Sequence, residues 1–324
     1  QGVPADSILA ITFTNKAAEE MRSRIAQLIP RFDGRWIQTF HAACYRILRG
    51  DIKLLGYDSN FTIMDDNESK ALLKSIQKDY QDFQSRPEDL LYQIKRLKNT
   101  LSNPETFFLS QKAPQAVRES NLRLFKVYQS RMRELNALDF EDLISLSIQL
   151  FKEYPEVLAK YQDRFRYIMV DEYQDTNYSQ YVWTKLLSSQ RRSIFVVGDP
   201  DQSIYSWRGA EPYNIKRFLK DYPEAVVIKL EKNYRSTGNI LAAANHVIKN
   251  NRDREEKELY TDEGEGEKIV RFCAQDSYQE ACFVAENIKE LARDGLSYKD
   301  CAVFYRTHAQ SRAIEEALVR NNIP

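Results

Sequence analysis

No excess charge of either sign marks this 324-residue sequence, in which Lys plus Arg and Asp plus Glu each total 47. A global basic field that would draw in nucleic acid is therefore excluded, and any such binding must come from local surface. Cysteine is scarce. The four present, Cys44, Cys273, Cys282 and Cys301, form no CxxC pair and have no His at metal-ligand spacing. That argues against a zinc site or a disulfide framework and points to reduced thiols in a cytoplasmic setting. Gly and Pro number only 10 each, beside 43% hydrophobic and 29% charged residues, a composition that excludes fibrous and low-complexity classes and describes a folded, helix-rich chain. No apolar run approaches the roughly 20 residues of a membrane span, and the start carries no signal-peptide pattern. An initiating Met is also lacking, so the chain is expected to begin inside a longer protein.

What is present reads as alternating short strands and helices. The run SILAITF (7–13) feeds through Thr14, a candidate N-cap, into a helical pattern whose apolar stripe is Met21, Ile25, Leu28 and Ile29. A second short strand at 36–40 leads into a helix from about residue 41. From 61 to 136 strand signals almost vanish, and the text reads as helices broken by Pro87, Pro104 and Pro114. Between Arg86 and Arg133 lie ten Lys/Arg against four Asp/Glu, which fits either a basic binding surface or a solvated helical face. Apolar runs return at YIMV (167–170) and SIFVV (193–197), separated by a helix over 178–187. Both are continuous rather than alternating, as in parallel strands covered on two faces. Further strand signals fall at 225–230, 269–272 and 302–305, with a helix near 240–248 and an acidic loop at 253–267. Two domains are expected, the second opening near Asn233.

Two places carry chemistry. Asp171 and Glu172 end YIMV, at the carboxyl edge of a parallel sheet, where open α/β folds place ligands. An acid there can help hold Mg²⁺, and its neighbour can take the proton of an attacking water; the alternative is surface charge or a helix cap. The second place is GDPDQSIYSWRGA (198–210), where Gly198 and Pro200 allow a sharp exit from the strand and free the Gln202 amide to reach a phosphate or water. Tyr205, Trp207 and Arg208 then offer two aromatic faces and a guanidinium, which suits stacking on single-stranded bases. The alternative is that both aromatics belong to the core.

Taken together, TFTNKAAEEM (12–21), TFHA (39–42), LDFEDLI (138–144), VDEYQDTN (170–177), VVGDPDQSIYSWRGA (196–210) and NYRST (233–237) resemble the ordered motif set of UvrD/Rep/PcrA-like superfamily 1 DNA helicases. The resemblance runs essentially end to end and is weakest between 67 and 136. It implies a RecA-like parallel sheet domain in two parts, 1–60 and 138–232, a helical insertion at 61–137, and the start of a second RecA-like domain at 233–324. By the same resemblance Asp171 is the Mg²⁺-associated acid, Glu172 activates the water, and Gln202 senses the γ-phosphate of ATP. Tyr234 would pack on the adenine and Arg235 would reach the γ-phosphate, although a lone Arg can equally be a surface salt bridge. Phe13, Tyr205 and Trp207 would stack on bases, while Thr12, Asn15, His41 and Arg208 would contact the strand; His41 could instead be a satisfied helix-start histidine.

The resemblance also implies ATP and Mg²⁺ as ligands, single-stranded DNA and its junctions with duplex as partners, and 3′ to 5′ movement. One part of the family pattern is missing. The phosphate-binding loop GxxxxGK(S/T) should precede SILAITF by about twenty residues, yet the sequence starts six residues before that run. The chain by itself is thus expected to hydrolyse ATP poorly. Two alternatives stay open: the helicase part of a RecB/AddA-type helicase–nuclease, and a single-strand-binding scaffold that has lost its ATPase.

Overall fold

The runs at 8–12, 37–39 and 167–170 in the first part of the chain are each followed by a helix with a side-chain cap, and the crossovers let successive strands add in parallel. The computed structural model describes residues 2–29, 32–80, 85–251 and 257–324, the side chain of Arg208 excepted. Its contacts divide into two units, Gln1–Val227 and Ile228–Pro324. In chain order the first contains β1 (Ile8–Thr12), α1 (Asn15–Leu28), β2 (Ile37–Thr39), α2 (Phe40–Asp51), β3 (Thr62–Ile63) and the helices α3 (Asp66–Asp79), α4 (Pro87–Thr100), α5 (Pro104–Leu109) and α6 (Gln115–Glu134). It continues with β4 (Ala137–Leu138), α7 (Phe140–Glu153), α8 (Pro155–Arg164), β5 (Tyr167–Val170), α9 (Tyr178–Ser188), β6 (Ile194–Val196) and α10 (Asn214–Asp221).

Four strands form one parallel sheet in the order β2-β1-β5-β6, with Ala10 opposite Ile37, Ile11 opposite Val170 and Val170 opposite Val196. β3 and β4 make a separate parallel pair, so the chain leaves for the α3–α6 helices and returns beside its point of departure. Those helices have their own apolar core, centred on Leu73, Ile94, Phe108, Leu124 and Tyr128. The sheet's core gathers Leu9, Ile11, Phe40, Ile47, Ile148, Phe151, Ile168, Val170 and Trp183. The three prolines of the helical region start helices rather than break them: Pro87 and Pro104 occupy the first turns of α4 and α5, and Pro114 caps α6. A missing N–H costs nothing in the first turn, where that donor has no partner in the helix.

Three expectations need correction. The stripe on α1 is only half realised, because Leu28 is 80% exposed and Ile29 52%. Leu28 is the last residue of α1 and Ile29 the cap that follows it. β5 is covered on one face only: Ile168 and Val170 are buried, whereas Tyr167 and Met169 are exposed, as is Phe195 on β6. The continuous apolar run therefore overstated the cover. The run at 225–230, which crosses from the first unit into the second, and the runs at 269–272 and 302–305 of the second join no ladder, and Val226, Ile228, Val270 and Phe304 stand exposed. A strand needs a paired neighbour to satisfy its backbone groups, and the bridge Lys232–Tyr260 is the pairing found there among the described residues. That unit holds α11 (Gly238–Ile248), α12 (Ser277–Arg293) and α13 (Ser311–Arg320), with a small core of Ala281, Ala285, Ile288, Ile314 and Ala317.

A buried ionic cluster joins the helical region to the sheet. Lys98 of α4 reaches Asp139 at 2.5 Å and Asp142 at 2.7 Å, and Tyr128 of α6 donates to Asp139 at 3.2 Å. Asp139 and Asp142 also form the capping box of α7, so one pair of carboxylates both starts that helix and neutralises the lysine. Burial disfavours the Lys98 ammonium, yet the two carboxylates outweigh it and hold the proton firmly. Burial and then the Asp139 charge push the Asp142 carboxyl above its ordinary range. Replacing Lys98 by Met strips two buried carboxylates of their cation, which should cost about 3–5 kcal/mol of folding stability. Equilibrium urea denaturation measures it, and a loss below about 1 kcal/mol would show that the cluster is effectively solvated.

Candidate active site and nucleic-acid interface

Because β1, β2, β5 and β6 run parallel, the residues that follow them emerge at one edge. Asp171 follows β5, and its N–H still donates to Ile11 of β1 at 2.9 Å, so its position is set by the ladder. Its side-chain Oδ1 accepts from the Glu172 N–H at 3.0 Å. Burial raises the Asp171 carboxyl above its ordinary range; the bond from Glu172 opposes this shift and the Glu172 charge adds to it. Glu172 itself turns the chain in the left-handed region, at φ 52° and ψ 44°. That conformation is rare outside glycine, Asn and Asp, and Glu172 is exposed where the residues that follow are buried.

The ladder continues past β6 as well. Val197 donates to Val170 and accepts from the Tyr173 N–H, both at 2.9 Å, which ties the 171–175 loop to the 198–202 loop. Gln202 is exposed and donates to Asp199 Oδ2 at 2.8 Å. Asp171, Glu172 and Gln202 thus lie beyond adjacent strands, on the same side of the sheet.

The aromatic residues come from that side too. Phe13, just past β1, stacks on Tyr205, with ring centroids 4.9 Å apart and 27° between planes. Tyr205 lies 6.4 Å from Trp207, and Trp207 is 64% exposed, so this tryptophan is no core residue. Asn15 opens α1 and is exposed. Thr12 departs from the expectation of a strand-contacting residue: it is 1% exposed, and its hydroxyl donates to the Thr14 carbonyl at 3.0 Å. A buried β1 residue can shape the turn that carries Phe13, but its own hydroxyl is spent. His41 packs edge-on against Phe140 at 6.0 Å, and burial lowers its pKa to about 4, so it is a neutral imidazole at physiological pH. The expected role of the Arg208 side chain lies outside the described residues.

Tyr234 and Arg235 belong to the second unit and are described within it. Tyr234 is 78% exposed with the Lys232 ammonium 5.2 Å from its ring. The Asn233 side chain accepts from the N–H groups of Arg235 (2.9 Å) and Ser236 (2.7 Å), and the Asn233 N–H donates to Tyr260 at 2.7 Å. This Asx turn presents both side chains outward.

Sequence reasoning passed over the residues that hold these loops together. Gln174, 2% exposed, bonds to Glu172 and to the Asp199 backbone. Asn214, fully buried, donates to the carbonyls of Thr176 (2.9 Å) and Asn177 (3.2 Å) and so fixes the end of the acidic loop to α10. Asn177 caps α9 and also donates to Asn99 of α4 at 2.9 Å. The available signal was a run of amides, Gln174, Asn177 and Gln180, directly beyond an acidic pair, where a loop buried beneath a site needs directional bonds.

With this geometry in place, comparison with known proteins assigns the class: the chain belongs to the UvrD/REP helicase family. A model of the UvrD/REP helicase N-terminal domain matches residues 1–223, and one of the UvrD-like helicase C-terminal domain matches 228–324. Among similar proteins, the ATP-dependent DNA helicase PcrA of Leuconostoc citreum is 46% identical over 322 residues, 98% of this chain and 43% of that protein. PcrA helicases of Staphylococcus aureus (46% identical) and Staphylococcus epidermidis (45%) match over the same 98% of this chain and 44% of their own length. The chain spans less than half the length of these relatives.

The neutral His41 has a consequence for stability. Its folded pKa of about 4 lies below the ordinary 6.5, so as pH falls the unfolded chain takes up the proton first. Stability is therefore complete above pH 6.5 and is lost as pH drops toward 4, by at most about 3 kcal/mol. His41→Gln should flatten that part of the stability–pH curve in denaturant titrations, and an unchanged slope would place the titrating group elsewhere.

Proposed function

We propose that this chain is the motor core of an ATP-driven DNA helicase or translocase, whose hydrolytic chemistry is centred on Asp171, Glu172 and Gln202 and whose DNA track includes Phe13, Tyr205 and Trp207. The observation that carries this reading is the shared sheet edge: two acids, a glutamine and a stacked aromatic platform emerge from β1, β5 and β6, with backbone bonds joining their loops. Relatives named ATP-dependent DNA helicase support it. Movement from 3′ to 5′ on single-stranded DNA, action at junctions, a role in repair or replication and a cytoplasmic location follow from the family resemblance; among the described residues no helix is long and apolar enough to cross a membrane. We read 1–60 with 138–232 as the first RecA-like domain, 61–137 as its helical insertion and 233–324 as part of the second.

Mg²⁺ fits the donor set. Asp171 is a hard oxygen donor at the carboxyl edge of the sheet, and among the described residues no Lys or Arg forms an ion pair with it, so a cation carried in on phosphates would find its carboxylate without a counter-charge. When bound, the ion would neutralise developing phosphate charge. In this reading Glu172, the next residue and exposed, takes the proton of the attacking water. Gln202 hydrogen-bonds that water or the terminal phosphate. Tyr234 offers its open ring face to the adenine, and Arg235 its guanidinium to the γ-phosphate.

DNA-stimulated ATP hydrolysis by the full-length protein tests the motor reading directly, and its absence would leave a binding scaffold. In that protein Glu172→Gln should cut turnover by about 100-fold or more while ATP still binds, the loss of a positioned base; substantial residual turnover would remove Glu172 from that role. Trp207→Ala should weaken single-stranded DNA binding by about 1–3 kcal/mol in a fluorescence titration with the melting temperature unchanged. Equal affinity would argue against stacking.

A further inference from the structure

Gln174 has no assigned part in the chemistry, yet its buried amide bridges the acidic loop after β5 and the loop after β6. Its Nε2 donates to Glu172 Oε2 at 2.8 Å and lies 3.4 Å from Asp175 Oδ2, while its Oε1 accepts from the Asp199 N–H at 2.9 Å. Its carbonyl accepts from the Ser203 hydroxyl at 3.5 Å. The amide can be oriented only this way, since the reverse would set a carbonyl against two carboxylates and an NH₂ against an N–H donor. The neighbouring backbone leaves room for it. A Cβ on Gly198 would come 2.8 Å from Gln174 Oε1 and 3.1 Å from the Tyr173 nitrogen, so only glycine lets the two loops close on this amide.

We infer that Gln174 is a positioning residue: it holds the Glu172 carboxylate in its working rotamer and links it to the loop that leads through Ser203 to Tyr205. The state of the aromatic platform would then reach the proton acceptor through one buried amide. Glu172 is exposed and sits on a left-handed turn, so without this donor its side chain has the whole solvent hemisphere to explore. Gln174 touches neither nucleotide nor DNA in this scheme. The inference rests on the motor reading above.

The test uses the full-length protein, measuring kcat and KM for ATP with and without a single-stranded oligonucleotide. Gln174→Met should lower the DNA-stimulated kcat by about 10-fold or more, part of what a positioned base supplies, with KM for ATP within about 2-fold. Gly198→Ala should reproduce that loss by displacing the amide. In a Glu172→Gln background Gln174→Met should lower kcat by less than about 2-fold further, because the amide then has no base to hold, whereas a purely structural role would cost about the same 10-fold in both backgrounds. Should Gln174→Met fail to fold, Gly198→Ala in the two backgrounds decides alone. Wild-type stimulation in Gln174→Met, or an equal further loss in the Glu172→Gln background, overturns the inference while leaving the motor reading intact. A wild-type protein without ATP hydrolysis overturns both.

Discussion

A parallel ladder can deliver its strand ends to one side only, and the rest of this site depends on that constraint. β1, β5 and β6 supply respectively an aromatic, an acidic pair and a glutamine loop, and parallel pairing sets all three down together. The pairing does not stop where the strands end. Val197 and Tyr173 extend it by backbone bonds into the loops themselves, so the functional segments inherit the rigidity of the sheet rather than the freedom usual for loops.

Beneath that edge the molecule uses polar groups where it could have used apolar ones. Lys98, Asp139, Asp142 and Tyr128 tie α4 and α6 to the start of α7, and Asn99 ties α4 to the cap of α9. Asn214 then connects that cap to α10. Apolar packing would bury as much surface with less directional demand. Hydrogen bonds and ion pairs fix angle and register, and each of these contacts falls at a helix start. The helical region is thereby tied to the starts of α7 and α9.

Much of this was legible in the sequence. Short β-branched runs followed by capped helices gave the parallel sheet, because a strand–helix–strand unit has few ways to close, and the acids and glutamine at the ends of those runs fell where expected. Burial was less legible. Thr12 looks polar and accessible as text, but β1 is an interior strand buried on both faces; the YIMV run reads as doubly covered, but Tyr167 and Met169 face outward. The apolar runs of the second unit have strand composition without a ladder, since pairing is a property of two segments and composition of one. Gln174 escaped notice for a similar reason: an amide acquires meaning only when both ends of it find partners far apart in the chain.

The backbone at Glu172 carries a tension of its own. A left-handed turn costs a side-chain-bearing residue roughly 1 kcal/mol, which glycine would not incur. Folding alone would favour the smallest residue at this position, whereas proton transfer needs a carboxylate there. Residue 172 is thus a place where foldability and reactivity favour different amino acids, and the chain accepts a local conformational penalty at the point where its proposed chemistry takes place.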